Sequence, residues 1–481
     1  MNYSKGLVIK NLIWKFSERI GIQVANLVIQ IILTRVLLPE DYANVAIIMV
    51  FVQLANLIVQ SGFGSSLIQK EKIDERDFSS VFIICLFVSL ILYGVLYISA
   101  PAIASFYNLA MLKNLLRVQA VILFPCAINT VQVAYLSRNM EFRKNFIASI
   151  VACVVSGCLG IGAALIGLGI WSIVICNIAN QIILTVILWF LVKWRPSTKF
   201  SFYKVKELFR FGWKLLVSSV LSMFYSNLQT LIIGKVFTPT LLGYYNRGEL
   251  MGTTVMSSVN NAISSVMLPV LSRYQTDLDS FKKVYRRILI LDCFFSFPIM
   301  FGLASVAESF IVLLFTEKWL PAAPFMTIIC IARAFDPIHV TNLQAILSIG
   351  RSDITLKLEV TKKLLGLALM LITYNIGIYA FVASNIILAV ISTIINAYPN
   401  AKAFSYSFKE QIKDIGPYIT LSIVMFIATY SVNFLNINAF LTLVLQIFAG
   451  VIIYVLGCIC FKLYAFEYVL NYIKPWIRGK K

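Results

Sequence analysis

Apolar runs of about 20 residues, parted by short polar breaks, recur from one end of the chain to the other. They predict helices over 12–34, 43–62, 79–100, 115–136, 145–166 and 170–192, then over 213–234, 243–268, 288–312, 322–348, 355–374 and 377–398. Two more follow at 415–435 and 439–461, and the least secure cut is the junction Asn375–Gly377 inside one long apolar run. A run of this length crosses a hydrocarbon layer of roughly 30 Å as a helix that satisfies its own backbone hydrogen bonds. The expected fold class is an all-α polytopic membrane protein of about fourteen transmembrane helices.

Polar positions add orientation. The gaps after the second, fourth, sixth and later even spans, with the two ends of the chain, carry most of the 41 Lys and Arg residues, above all over Lys193–Lys214 and Arg273–Arg287. The alternate gaps are short and several carry none. Basic loops stay on the cytoplasmic side, so both termini are expected there, in a cell (inner) membrane. Segment Lys199–Phe211 mixes basic with aromatic and aliphatic residues and reads as an interfacial amphipathic helix ahead of the seventh span.

Composition agrees: 60% of residues are hydrophobic and 13% charged, against roughly 25% charged in an ordinary globular chain. The net charge of +20 would suit nucleic acid if clustered, but its confinement to short loops argues against such a partner. The nine cysteines sit almost entirely in apolar runs and form no metal-ligand or redox pattern. No signal-peptide cleavage pattern follows Lys5, Lys10, Lys15, Glu18 and Arg19, so the first span is expected to be retained.

Three motifs recur about 200 residues apart and in the same order. Arg35-Val36-Leu37-Leu38-Pro39, with Trp14-Lys15 upstream, matches Lys235-Val236-Phe237-Thr238-Pro239 with Trp213-Lys214. Pro125, Gln132 and Arg138 match Pro337, Gln344 and Arg351, and Gly169, Val174 and Asn177 match Gly377, Val382 and Asn385. Six spans separate equivalent positions, so the halves share one orientation and should be related by a two-fold axis along the membrane normal. The expected organisation is an N-lobe (1–198, spans 1–6), a C-lobe (199–400, the amphipathic helix and spans 7–12), and a trailing part (401–481, spans 13–14 and a basic cytoplasmic tail).

Lys15, Arg19, Gln23, Asn26 and Gln30 fall within about 80° of one another on the wheel of the first span. Lys214, Ser218, Ser222, Tyr225 and Gln229 repeat the pattern in the seventh. Polar residues inside a span seldom face lipid. The two stripes are therefore expected to line a wet cavity, with interhelical hydrogen bonding as the plainer reading for the amide and hydroxyl members. Arg333, Asp336 and His339 stand together in the tenth span, with Pro337 expected to kink it. Arg333 and Asp336 can neutralise each other, and Asp336 with the single histidine, His339, is a candidate ion or proton site. Arg247 and Glu249 read as an outer gate or interface anchors, and Asp292 has no assigned role.

There is no G-x-x-x-x-G-K-[ST], no H-E-x-x-H and no G-x-S-x-G, so no P-loop, zinc-protease or serine-hydrolase chemistry is expected, nor any cofactor or metal. Nearly the whole chain resembles the polysaccharide transporter family, the Wzx-type flippases of the multidrug/oligosaccharidyl-lipid/polysaccharide exporter superfamily. The resemblance rests on LTRVLLPEDYA (33–43), SGFGSSLIQKE (61–71), LSRNMEFRK (136–144), RPSTKFSFYKVKELFRFGWKLL (195–216), IGKVFTPTLLGYYNRGELM (233–251), LPVLSRYQTD (268–277) and LLFTEKWLPAAPF (313–325). One departure is Ala43, where the family has glycine after the aromatic residue and where the second half keeps Gly243.

The resemblance implies two six-helix lobes around a V-shaped cavity (a MATE-like fold) plus two trailing helices. It also implies a substrate, an undecaprenyl-diphosphate-linked oligosaccharide for O-antigen, capsule or exopolysaccharide, handled alongside the polymerase and glycosyltransferases of its pathway. On this reading the chain is a transporter and not an enzyme: Lys15, Arg19 and Lys214 hold the diphosphate, the amides hold sugar hydroxyls, and the lobes rock between two openings. An ion-coupled drug exporter and a membrane glycosyl- or acyltransferase are the alternatives.

Overall fold

In the computed structural model, the described residues are 5–477 except 72, 198, 199 and 436; side chains are described over 21–471, excluding 211 as well. They form nineteen α-helices and no strand. Twelve helical stretches are long and apolar enough to cross a membrane. With α1 (Lys5–Val36), whose described side chains begin at Gly21, and α15 (Ser352–Thr373), which carries Lys357, Glu359, Lys362 and Lys363, every one of the fourteen expected spans has a helix.

The chain divides into two compact units, Met1–Gly243 and Tyr244–Lys481. The first holds α1, α2 (Pro39–Gln60), the short α3 (Phe63–Gln69), α4 (Glu75–Tyr107), α5 (Met111–Gln119), α6 (Leu123–Arg138), α7 (Phe142–Leu165), α8 (Trp171–Leu191), α9 (Phe202–Val236) and the first turn of α10 (Pro239–Ser272). The second holds the rest of α10, α11 (Leu278–Ser305), α12 (Ala307–Phe315), α13 (Ala323–Arg333), α14 (Asp336–Ser348), α15, α16 (Ile378–Phe404), α17 (Phe408–Tyr430), α18 (Ala439–Cys460) and α19 (Tyr464–Ile477).

The sequence repeat reappears as matched helix ends. α1 stops at Val36 and α2 starts at Pro39; α9 stops at Val236 and α10 starts at Pro239. A proline at the first helical position loses nothing, because its missing N–H would have no intrahelical partner there. The fourth and tenth spans are each broken midway, at the 3₁₀ turn Ala120–Ile122 and at Ala334–Phe335. Pro125 and Pro337 then lie in the first turn of the restarted helices α6 and α14, so Pro337 marks a break and not merely a bend. Residues with positive φ precede the paired helices: Met140 (55°) before α7 and Gly350 (80°) before α15, then Gly169 (54°) before α8 and Gly377 (139°) before α16. Gly377 thus parts the long apolar run into two helices, α15 and α16.

Two features differ from the expectation. The amphipathic segment is continuous with the seventh span in one 35-residue helix, α9, because nothing between Phe202 and Trp213 breaks it. One face, Val205 and Leu208, is buried in unit 1, while Phe202, Tyr203 and Phe209 remain exposed. The tail, read only as basic, opens with α19, whose Ala465 N–H donates to Tyr418 at 3.1 Å in unit 2.

Charge ties the start of α9 to the rest of unit 1. Asp77 is 1% exposed and receives Lys70 at 3.1 Å and Lys204 at 3.5 Å; Lys204 also pairs with Asp74, and Lys70 with Glu207 at 2.8 Å. Asp74 and Asp77 cap α4 reciprocally, each side chain accepting the other's N–H at 2.9 Å. The Lys204 ammonium pulls the Asp74 carboxyl down to about 2. A depressed carboxyl contributes stability above its unfolded value near 4 and loses it as pH falls through the folded value. Amide exchange over Phe202–Leu208, corrected for intrinsic rates, is therefore expected to stay level from pH 8 to 5 and to rise as pH falls from about 4 towards 2. A rise already between pH 7 and 5 would show that this pair does not hold α9.

Candidate functional site

The site is built on α7, a helix of small residues. Ala152, Ser156, Gly157, Gly160 and Ala163 leave its surface low enough for neighbours to close in on both sides. A Cβ at Gly157 would stand 2.3 Å from Ile29 Cδ1 of α1, and one at Gly160 would stand 2.7 Å from Cys176 Cβ of α8. Between α1, α7 and α8 lies a chamber of about 320 Å³ lined in part by Asn26 and Gln30 of α1, Ser156 of α7, and Asn177, Asn180 and Gln181 of α8. Asn180 Nδ2 donates to Ser156 Oγ at 3.2 Å, and Cys153 Sγ–H donates to Asn26 Oδ1 at 3.4 Å. Asn177 Nδ2 points at Met49 Sδ, 3.9 Å away.

A second chamber of about 440 Å³ lies in the same unit, among α2, α3, α6, α8 and α9. Its polar lining includes Asn56, Gln60, Asn129, Thr130, Gln181 and Ser219, and Gln181 belongs to both chambers. Asn129 Nδ2 donates to Gln181 Oε1 at 3.3 Å. Among the described residues, no Asp, Glu, Lys, Arg or His lines either chamber. Surfaces of this kind offer hydrogen bonds in both senses and no compensation for a net charge, so they suit a neutral, hydroxyl-rich ligand.

The first stripe is thus partly placed. Asn26 and Gln30 reach the chamber, Gln23 is exposed on α1, and Lys15 and Arg19 lie on the α1 backbone with side chains outside the described residues. Of the second stripe, Lys214, Ser218 and Ser222 are exposed along α9, Tyr225 is half-buried and Gln229 is buried. None of these five lines the two chambers. Lys70, Asp74, Asp77, Lys204 and Glu207 lie elsewhere in unit 1, as described above, and are not part of the lining.

In unit 2, Arg333 pairs with Asp336 at 3.3 Å across the break between α13 and α14, and Glu249 lies close enough to act on the Arg333 guanidinium. His339 Nε2 stands 3.0 Å from Ala389 O and 3.1 Å from Thr393 Oγ1, while its Nδ1 lies 4.0 Å from Asp336. The histidine is held by hydrogen bonds to α16. Asp292, 7% exposed on α11, accepts from Ser296 at 3.1 Å and leaves Oδ2 without a partner among the described residues. Among the described residues no group of three or more His, Cys, Asp or Glu is placed to hold a metal ion.

The sequence reading found one wall of the first chamber and missed the other. Asn177 drew attention only as a repeat marker, and Asn180, Gln181 and Asn129 drew none. The available signal was a run of amides in an otherwise apolar span, Asn177, Asn180 and Gln181.

Comparison with known proteins decides the family. A family described as "Polysaccharide biosynthesis protein" matches residues 32–324, more than half of the chain. This chain belongs to that family. Among relatives of the polysaccharide biosynthesis protein family, the Bacillus subtilis "Teichuronic acid biosynthesis protein TuaB" is 24% identical over 83% of this chain and 84% of its own length. The Escherichia coli "Lipopolysaccharide biosynthesis protein WzxC" is 20% identical over 85% and 84%. The Rhizobium meliloti "Succinoglycan biosynthesis transport protein ExoT" is 24% identical over 68% and 66%. In fold, the chain is similar to the solved "Lipid II flippase MurJ, inward closed conformation", with a TM-score of 0.71 and 17% identity over 94% of this chain and 98% of that one. An inward-facing multidrug resistance MATE family transporter gives a TM-score of 0.59 and 16% identity over 79% and 95%. The expected all-α, multi-pass, MATE-like fold is therefore the fold of this family member.

Proposed function

We propose that this chain flips an undecaprenyl-diphosphate-linked oligosaccharide across the cytoplasmic membrane for surface polysaccharide synthesis. The observation that carries the reading is the chamber of α1, α7 and α8, lined among the described residues by amides and no charge, inside a member of a polysaccharide biosynthesis family. Sugar hydroxyls both donate and accept, as carboxamides do, so each hydroxyl drawn out of water finds a matched partner there. The relatives' names, in teichuronic acid, lipopolysaccharide and succinoglycan biosynthesis, support the same substrate class.

In this mechanism the diphosphate is met by Lys15, Arg19 and Lys214, because cationic donors make the strong, charge-assisted hydrogen bonds that phosphate oxygens need. The sugars sit against Asn26, Gln30 and the α8 amides, Gln23 and Gln229 extend the polar path, and the polyprenyl tail stays in lipid. Both termini are cytoplasmic in this proposal, and transport proceeds by alternating access. Arg333, Asp336 and His339 are assigned to the charge balance of the C-terminal half.

The test is deletion of the gene, followed by complementation with the parent and with Lys15→Ala/Arg19→Ala. Deletion is expected to remove surface polymer and to raise lipid-linked oligosaccharide inside, with drug sensitivity unchanged. The double variant is expected to restore less than a tenth of the polymer at equal protein level, since each lost charged contact costs about 1.5–3 kcal/mol. Normal polymer in the deletion strain, with new drug sensitivity, would favour a drug exporter instead.

A further inference from the structure

The second chamber of unit 1 holds none of the residues assigned above except Gln181, through which it adjoins the first. We propose that it is a second sugar subsite, so that the N-terminal unit grips two consecutive neutral sugar residues, one in each chamber, with the Gln181 carboxamide as their common wall. The inference rests on the flipping reading.

Two buried acceptors point to the ligand. Asn129 is 6% exposed, and its Nδ2 is used on Gln181 while its Oδ1 has no partner among the described residues. Asn56 Oδ1, on the α2 side of the same chamber, is buried and likewise without a partner among them. A buried acceptor is costly until a donor reaches it. A hydroxyl can supply that donor and then accept in turn from Thr130 or Ser219. A phosphate would bring negative charge against these oxygens with no cation among the described lining residues, and an ammonium would find no carboxylate among them. Leu57, Val133, Leu215 and Leu216 supply apolar wall for the C–H face of a pyranose. The volume, about 440 Å³, lies within the roughly 300–1,000 Å³ usual for small-ligand sites.

The sharing of Gln181 sets the register. Its Oε1 is engaged by Asn129, so its amide is fixed with respect to the second chamber while it borders the first. A head group with a single sugar fills only the first chamber. A second sugar brings Asn56, Asn129 and Thr130 into play.

The full-length protein is reconstituted in vesicles with a synthetic polyprenyl diphosphate carrying either one or two neutral hexoses. Transport is read as loss of the sugar's accessibility to membrane-impermeant periodate. Asn56→Leu, at a residue that lines the second chamber only, is expected to slow movement of the two-hexose lipid at least tenfold and to leave that of the one-hexose lipid within twofold of the parent. Ser219→Trp, which fills the same chamber from the exposed face of α9 without disturbing a buried residue, is expected to give the same pattern. Equal loss for both lipids with Ser219→Trp, or no loss for either with both variants, would overturn the second subsite while leaving the flipping reading intact. A parent protein that moves neither lipid overturns the flipping reading and this assignment with it.

Discussion

Replacing Asn26 and Asn180 together by leucine is expected to cut surface polymer about a hundredfold while the protein remains in the membrane at parental level. The two residues face the first chamber from different helices, α1 and α8, and neither is fully buried. Leucine is nearly isosteric with asparagine and is a better helix former, so the fold of each span is retained. What disappears is two carboxamides' worth of hydrogen bonding to the sugar. At about 1.4 kcal/mol for each, two losses give roughly two orders of magnitude in the stabilisation of the transported head group. Asn180→Leu also strands Ser156 Oγ, which receives the asparagine Nδ2 at 3.2 Å. The serine can turn its hydroxyl on to Cys153 O, its acceptor at 3.1 Å, so that side effect is small. The measurement pairs surface polysaccharide with the amount of lipid-linked oligosaccharide in the cell and with an immunoblot of the variant. Parental polymer at parental protein level would remove the chamber from the mechanism.

What was legible in the sequence follows from which interactions leave a linear trace. A span must be apolar along about 20 consecutive residues, so the expected spans are written in the chain: twelve appear as helical stretches apolar and long enough to cross a membrane, and the other two have helices, α1 and α15. The repeat was legible because its anchors, Pro39 with Pro239 and Pro125 with Pro337, act through local backbone geometry. Features that depend on a partner left weaker marks. α3 is seven residues long, too short for its i, i+4 pair Phe63 and Leu67 to stand out in the sequence, and it is fixed by burying them. α9 runs unbroken through Gly212, which lies against the backbone of Ser61 and Gly62, a contact invisible before the fold exists. Val306 divides the ninth span into α11 and α12 with no proline or glycine at the break.

The candidate site shows the same division. The α1 stripe could be read because its members recur with the period of a helix. The α8 wall has helical spacing too, Asn177, Asn180 and Gln181 standing at i, i+3 and i+4 on one face, but its convergence with Asn26 depends on the small-residue packing of α7. His339, singled out as a candidate proton site because it is the one histidine, has a carbonyl and a hydroxyl of α16 as hydrogen-bond partners.

The departure at position 43 leads to the second large expectation: Gly243→Ala is expected to destabilise unit 1 by about 3 kcal/mol, whereas Ala43→Gly costs about 1 kcal/mol. The two positions are equivalent in the repeat but not in their surroundings. At Gly243 an added Cβ would lie 2.0 Å from Pro39 O, 2.6 Å from Pro39 C and 2.9 Å from Pro39 Cα. All three are backbone atoms at the first residue of α2, where the proline ring fixes φ, so no side chain can turn aside. The first turn of α10 would have to lift away from α2, taking with it the 3.0 Å hydrogen bond from Thr240 to Glu40. Ala43, by contrast, is wholly buried with its methyl already accommodated, and its loss removes one methyl and adds helix entropy. Gly94→Ala, within α4 and with nothing inside 4 Å of the new Cβ, is the internal control and is expected to be neutral or slightly stabilising. Thermal unfolding of the three purified variants, followed by size-exclusion after heating, should rank Gly243→Ala well below Ala43→Gly and Ala43→Gly below Gly94→Ala. If Gly243→Ala melted with the parent, the close approach of the first turn of α10 to Pro39 would not exist in the folded protein.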